Sequence, residues 1–250
     1  MKIATHILFF NQDNWILKNI EMIGPYVDKI YVAWSEFPWS YNSKARENFK
    51  NRSNIELLKQ SKYYNKIVLI KGDWKLDEDQ RNSCLNEAKK DGMDFLLIID
   101  ADEFYKKEDL EKLILDIKNN PDYEYYTTPW FTYWKDFNHI IVNKENSIIC
   151  GYPEVCVNLK YNNKFIRCRK PSGTKIKQLT SICGHASYVL TNEECWSKIN
   201  TWGHAHQFDS KKWYNDKWLL WNENTIDLHP INPSSWYKTI KTPENLNLNI

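Results

Sequence analysis

Phe95-Leu96-Leu97-Ile98-Ile99-Asp100-Ala101-Asp102-Glu103-Phe104 is the stretch whose reading decides the fold. The apolar run is too short for a comfortable helix and rich in strand formers, so it reads as a buried parallel strand. It ends abruptly in three carboxylates, Asp100, Asp102 and Glu103. Side chains two apart on an extended chain share a face, which predicts that Asp100 and Asp102 point the same way. Two carboxylates held side by side repel, and a hard divalent cation, Mn²⁺ or Mg²⁺, offsets that repulsion. Such ions are held by one or two carboxylates together with substrate phosphates. The competing reading is a solvated turn in which one aspartate caps the helix that begins near Lys106. A lone Asp-x-Asp is a weak motif; its place at the C-terminal end of a strand, where open α/β sheets bind ligands, raises its weight.

The flanking sequence supplies the rest of the sheet. Lys2 to Phe10, Lys29 to Trp34 and Lys66 to Ile70 read as three earlier strands. Helices are predicted over 13–23, over 45–62, and from the capping-box pattern Asp77-Glu78-Asp79-Gln80 through Lys90. Asp91-Gly92 stops the last of these. Leu110, Leu113, Ile114 and Ile117 give a further helix stripe. This β-α-β-α-β-α-β order predicts a mostly parallel sheet flanked by helices. The second half reads as a smaller mixed β/α region. Tyr123 to Phe137 is strand-like, and Val155 to Leu159 and Phe165 to Arg169 form a hairpin about Asn162-Asn163. Ser187 to Leu190 is extended, and Thr191-Asn192-Glu193-Glu194 is a second capping box. A helix runs about Trp213 to Trp221. The reading is one domain over 1–250, with a first half at 1–122, a second half at 123–227 and a C-terminal tail at 228–250, of which the final Asn-Leu-Asn-Leu-Asn-Ile reads as loose or draped.

Composition narrows the function. With 34 basic and 32 acidic residues the net charge is +2, which does not suggest nucleic acid or a membrane surface as the partner. Only 7 of 250 residues are glycine, and no Gly-rich phosphate loop is present. The 6 cysteines include no Cys-x-x-Cys pair and read as reduced thiols. No apolar stretch is long enough to span a bilayer and no signal-peptide core is complete. The expectation is a cytoplasmic protein, in the host cytoplasm if the source is viral. Aromatic residues reach 15%, which suits a Trp-rich core and, secondarily, stacking on sugars or bases.

If the sheet is parallel, the segments after its strands share one edge: Asn11-Gln12-Asp13, Ser35-Glu36, Asp73-Trp74 and Asp100-Ala101-Asp102. Asn11, Glu36, Asp73 and Asp100 are therefore candidate contacts to a nucleotide. Arg81, in the first turn of its helix, is a candidate phosphate contact. His185 is a candidate third metal ligand beside Asp100 and Asp102, because imidazole suits Mn²⁺.

Asp79-Gln80-Arg81-Asn82, the helix it opens, and the apolar strand ending in Asp100-Ala101-Asp102-Glu103-Phe104 together resemble a family 2-type glycosyltransferase of the GT-A fold. The stretch from His185 to His206, with Lys198, Trp202 and His204, is similar to the C-terminal part of some of these enzymes. The usual Asp-Asp-Gly-Ser after the second strand is replaced by Trp34-Ser35-Glu36-Phe37. The resemblance implies transfer of a sugar from a nucleoside-diphosphate sugar, UDP-sugar favoured, to a glycan or other hydroxyl acceptor, with inversion. It implies a nucleotide-sugar-binding half at 1–122 and an acceptor-side half at 123–227, and a metal held by Asp102, with Asp100 on ribose or metal-bound water. Glu154 is the first candidate for the base that deprotonates the acceptor, and Asp209 the second. The alternatives are a non-catalytic carbohydrate-binding protein, a phosphatase of the haloacid dehalogenase type and a sugar nucleotidyltransferase. The phosphatase places its Asp-x-Asp after the first strand, and the nucleotidyltransferase needs an N-terminal Gly-rich loop; Phe9-Phe10-Asn11-Gln12 stands there instead.

Overall fold

The computed structural model describes residues 1–248. Its strands are β1 (Ile3–Phe9), β2 (Lys29–Trp34), β3 (Ile67–Lys71), β4 (Phe95–Ile98), β5 (Glu103–Phe104), β6 (Tyr125–Thr127), β7 (Trp130–Trp134), β8 (Asp136–Val142), β9 (Glu154–Asn158), β10 (Phe165–Arg167), β11 (Lys170–Pro171), β12 (Ile176–Gln178), β13 (Cys183–Tyr188) and β14 (Lys238–Lys241). Its α-helices are α1 (Asp13–Ile23), α2 (Ser43–Asn48), α3 (Asp77–Lys90), α4 (Lys107–Asn119), α5 (Asn192–Thr201) and α6 (Ser210–Trp213). The chain clusters into two compact units. The first joins Met1–Thr128 to Pro153–Ser181, and the second joins Pro129–Tyr152 to the described residues from Ile182 onward.

The first unit is a seven-stranded, mostly parallel sheet in the order β12-β6-β9-β4-β1-β2-β3. The four strands read from the sequence are parallel neighbours, with β1 flanked by β2 and β4. Ala4, Tyr31, Ala33, Leu96 and Ile98 pack on one face against Cys84, Leu85 and Ala88 of α3. The alternate residues Ile3, Ile7, Ile30, Val32 and Leu97 are buried as well, as expected where both faces of a parallel sheet are covered. The helices α1 and α4 each bury one apolar stripe, Ile16, Ile20 and Ile23 in the first and Leu110, Leu113 and Ile117 in the second.

Several sequence expectations are corrected. The helix expected over 45–62 is broken: α2 ends at Asn48 and a 3-10 turn covers Ile55–Gln60. Asparagine side chains compete there with helical bonding. Asn42 and Asn54 cap the two pieces. Asn51 Nδ2 donates to the carbonyls of Phe9 and Ser35, at 2.9 and 2.8 Å. The expected 155–169 hairpin does not form. β9 lies between β4 and β6, antiparallel to both, and β10 pairs with β11. Val155, Cys156 and Val157 are all buried, a pattern that suits a central strand and not one arm of an exposed hairpin. The helix at Asp77 is capped from one side only: Asp79 accepts from the Leu76 N–H at 3.1 Å, and leucine offers no acceptor in return.

The second unit is built on a sheet in which β14 and β7 flank β8 antiparallel, and β13 lies parallel to β7. Lys238–Lys241, inside the segment read as the C-terminal tail, closes the edge of this sheet, and of the stretch 245–250 read as loose, 249–250 lie outside the described residues. The core is aromatic: Trp134 meets Tyr188 at 5.2 Å and Trp218 at 5.4 Å, with Trp213 and Leu228 packed alongside. The Thr191 capping box forms as expected, Glu194 N–H donating to Thr191 Oγ1 at 3.2 Å and Thr191 N–H to Glu194 at 2.8 Å. The expected helix about Trp213 is short, α6 running on into a π-type turn over Tyr214–Leu219.

Candidate functional site

The strand order reverses at β1: the chain proceeds to β2 and β3 on one side and returns to β4 on the other. Such a switch point opens a crevice at the C-terminal strand ends. Asn11 follows β1 there and Asp100 follows β4. The chain does not stay extended past Ile98, however. Glu103 N–H donates to the Asp100 carbonyl at 3.0 Å and closes a turn over 100–103. This corrects the expectation that Asp100 and Asp102 share a face through strand alternation. Asn19, buried on α1, fastens the turn by donating to the carbonyls of Asp100 and Glu103 at 3.0 and 2.9 Å.

A chain of ion pairs occupies this strand end. Arg81 donates Nε to Asp77 at 2.6 Å, and Nη1 and Nη2 to the two oxygens of Asp100, each at 3.0 Å. Arg169 pairs bidentately with Glu103 and lies 3.6 Å from Asp100. It also donates to the carbonyls of Ile98 and Glu154, at 2.8 and 3.1 Å, and so ties the β10–β11 turn to the ends of β4 and β9. The side chains of Arg81 and Glu103 are 4% and 1% exposed. At that burial an ion pair survives only where the guanidinium hydrogen bonds are satisfied. Both arginines meet that condition. Burial would raise the Asp100 carboxyl, but Arg81 and Arg169 outweigh it and hold it well below the usual carboxylate range. Burial wins at Asp77 and moves it up in spite of Arg81.

His6 adjoins this cluster from β1. It is fully buried, its ring meets Phe165 edge-on at 5.8 Å, and neither ring nitrogen has a partner among the described residues. Burial, and then the charge of Arg81, push its pKa well below the ordinary value, so it is neutral at neutral pH.

The other predicted residues fall in different places. Glu154 opens β9; Leu97 pairs with Cys156, which sets Glu154 beside the end of β4. Asn11 has a left-handed φ of 55°. It is stitched to the 51–52 segment by its N–H on Asn51 Oδ1 at 3.1 Å and its side-chain oxygen on the Arg52 N–H at 2.7 Å. Glu36 is 57% exposed and pairs with Lys50 at 3.5 Å, and Asp73 is 62% exposed and held by Arg46 at 2.6 Å. Arg81, expected to reach a phosphate, instead spends its guanidinium on Asp77 and Asp100. His185 and Asp209 belong to the second unit. His185 stacks on Trp130 at 4.4 Å, and Asp209 caps α6 through the Lys212 N–H at 2.9 Å.

Among the described residues no three His, Cys, Asp or Glu side chains gather in a metal-holding arrangement. The expected set Asp100, Asp102 and His185 does not appear as such a group, and both Asp100 oxygens accept from Arg81. Asp77, Asp100 and Glu103 are paired with Arg81 and Arg169, and Asp102 stands in the same turn. Asp102 alone, completed by substrate phosphates, is a donor set that Mg²⁺ and Mn²⁺ accept. Reading the sequence missed Asn19, Asp77, Arg169 and His6 as site residues. The one signal for His6 was a lone histidine inside an apolar strand.

No family model and no curated relative matches the chain. It is similar in structure to TarS 1–349 of S. aureus, with a TM-score of 0.47 at 13% identity over 83% of this chain and 68% of that one. Against the longer TarS structure the score is 0.46 at 14% identity, and the chain spans only 43% of that protein. The 4-diphosphocytidyl-2C-methyl-D-erythritol synthase of Anaerococcus prevotii gives 0.40 at 12% identity, over 77% of this chain and 92% of that one. At these identities the likeness is one of fold. Among the described residues no helix is long and apolar enough to cross a membrane.

Proposed function

We propose that the protein is a metal-dependent glycosyltransferase that moves a sugar from a nucleoside-diphosphate sugar, UDP-sugar favoured, to a hydroxyl of a glycan acceptor with inversion. The observation that carries this reading is the Arg81–Asp100–Arg169–Glu103 cluster at the β1/β4 switch point, in the same turn as Asp102. The Asp-Ala-Asp-Glu motif and the Gln80-Arg81-Asn82 helix start support it.

A divalent cation held by Asp102 would supply positive charge for the leaving diphosphate. The chain's own residues do the rest. Arg81 holds Asp100 as an ionised acceptor, placed for the donor's ribose hydroxyls. Arg169 holds Glu103 and fixes the turn that presents Asp102. Asn11, at the end of β1, lines the nucleotide side, with Glu36 and Asp73 at the ends of β2 and β3 as acceptors for the base. Glu154 accepts the proton of the acceptor hydroxyl while its oxygen forms the new bond to the anomeric carbon. The bond from that carbon to the diphosphate breaks in line, and the electron pair leaves with the diphosphate. Asp209 is the second choice of base. His185 is the second candidate metal ligand.

Glu154→Gln tests the assignment. Transfer is expected to disappear while nucleotide binding, read by calorimetry, is kept. Near-normal turnover in this variant rejects Glu154 as the base.

A further inference from the structure

The second unit contains a polar cavity that the donor reading leaves unused. Its volume is about 380 Å³, at the small end of ligand sites. β14, the edge strand, lines it together with His139 of β8 and the loop bearing Glu223 and Asn224. His139 stands opposite Lys241 in the β8–β14 ladder. Its Nδ1 lies 2.9 Å from Asp136, and Trp221 meets the ring edge-on at 5.1 Å, so the imidazole is fixed.

Three features describe what fits. First, His139 Nε2 lies 3.8 Å from Glu223 Oε1, so an imidazole and a carboxylate line the cavity side by side, too far apart to satisfy each other. Second, the Thr239 hydroxyl is buried with no partner among the described residues, in a side chain only 6% exposed on the lining strand. Third, charge is balanced: Lys238, Lys241 and Glu223 all line the cavity, and Asp136 stands behind His139. A balanced lining of interleaved donors and acceptors selects neither an anion nor a cation. It suits a neutral ligand whose groups both donate and accept, and hydroxyls do both. Tyr237, Ile226 and Ile240 supply the apolar wall that a sugar's C–H face needs.

We infer that this cavity is a carbohydrate-binding site for a mono- or disaccharide, separate from the nucleotide chemistry of the first unit. The test is saturation-transfer NMR and calorimetry on the full chain with glucose, galactose, N-acetylglucosamine, maltose and lactose, with no nucleotide or metal added. At least one sugar is expected to bind. Glu223→Ala and Lys241→Ala should each weaken it about tenfold or more, the size of one lost hydrogen bond to a desolvated group. Thr239→Val should weaken binding while leaving the melting temperature unchanged or higher, because the buried hydroxyl has no protein partner to lose. Lys211→Ala, on the exposed start of α6, should change nothing. The inference is overturned if no sugar binds, if binding ignores all three cavity variants, or if inorganic phosphate or glycine binds there in place of the sugars. Nucleotide binding by the same variants reads the donor site independently.

Discussion

The guanidinium of Arg81 lies flat against the carboxylate of Asp100, two parallel hydrogen bonds at 3.0 Å joining the first turns of α3 to the end of β4. This pair turns a strand end into a rigid platform, and it determines how the acidic motif can act. Asp100 is held ionised and oriented by it.

Removing Asp100 leaves Arg81 buried with Asp77 as its remaining counterpart. Asp100→Asn is expected to cost about 1–3 kcal/mol, the range for buried donors that lose a charged acceptor. Urea unfolding measures this. Arg81→Met added to Asp100→Asn should cost less than the two single changes together, because they share one interaction. Strict additivity would show that the pair is not coupled.

Arg169 makes a parallel prediction. Glu103 is 1% exposed and depends on this guanidinium. Arg169→Met should therefore lower stability by about 3 kcal/mol or more. It should also free the β10–β11 turn, which faster amide exchange at residues 165–171 would report. Unchanged exchange and unchanged stability would remove Arg169 from the site.

The histidines set the acid limit. Burial lowers the folded pKa of His6 well below 6.5, and burial followed by His204 lowers that of His229 to about 4. Unfolding lets each take up a proton that the folded state refuses. Their stabilisation is complete above about pH 6.5 and is lost as pH falls through the folded pKa, with a slope of about 1.4 kcal/mol per pH unit for each histidine. Asp100, with a depressed folded pKa, adds a loss only below the usual carboxylate range. Denaturant midpoints at pH 7, 6 and 5 should fall, and His6→Phe should flatten the fall. An unchanged pH slope in that variant would contradict the burial of His6.

Asn51 stitches the ends of β1 and β2 through Phe9 and Ser35. Asn51→Ala should cost about 1–3 kcal/mol for the partners left unsatisfied. The same contacts occupy the amide of the Asn51-Arg52-Ser53 sequon.

The parallel core was legible because four short apolar strands alternate with capped or amphipathic helices, a local pattern. Asp100 was legible as a strand-end carboxylate. Its partners were not: Arg169 lies 69 positions away on a turn whose strands pair with each other, and no periodicity links it to Glu103. The placement of β9 was equally hidden, since a short apolar strand fits a hairpin arm and a sheet centre alike. The 45–62 segment misled because its asparagines act through side-chain bonds that helix pattern ignores. The strand at 238–241 sits among prolines, and its pairing with β8 across about a hundred residues of chain leaves no local trace.

The central claim is that the Asp100–Glu103 turn serves a nucleotide and a divalent cation. The most direct measurement is the melting temperature with a panel of nucleoside diphosphates and nucleotide sugars, with and without Mn²⁺, in the natural protein and in Asp102→Asn. A ligand that binds only the folded state raises the melting temperature. The account predicts a Mn²⁺-dependent rise with one nucleotide, uridine favoured, that Asp102→Asn abolishes. No rise with any nucleotide, or a rise that Asp102→Asn leaves intact, would contradict it.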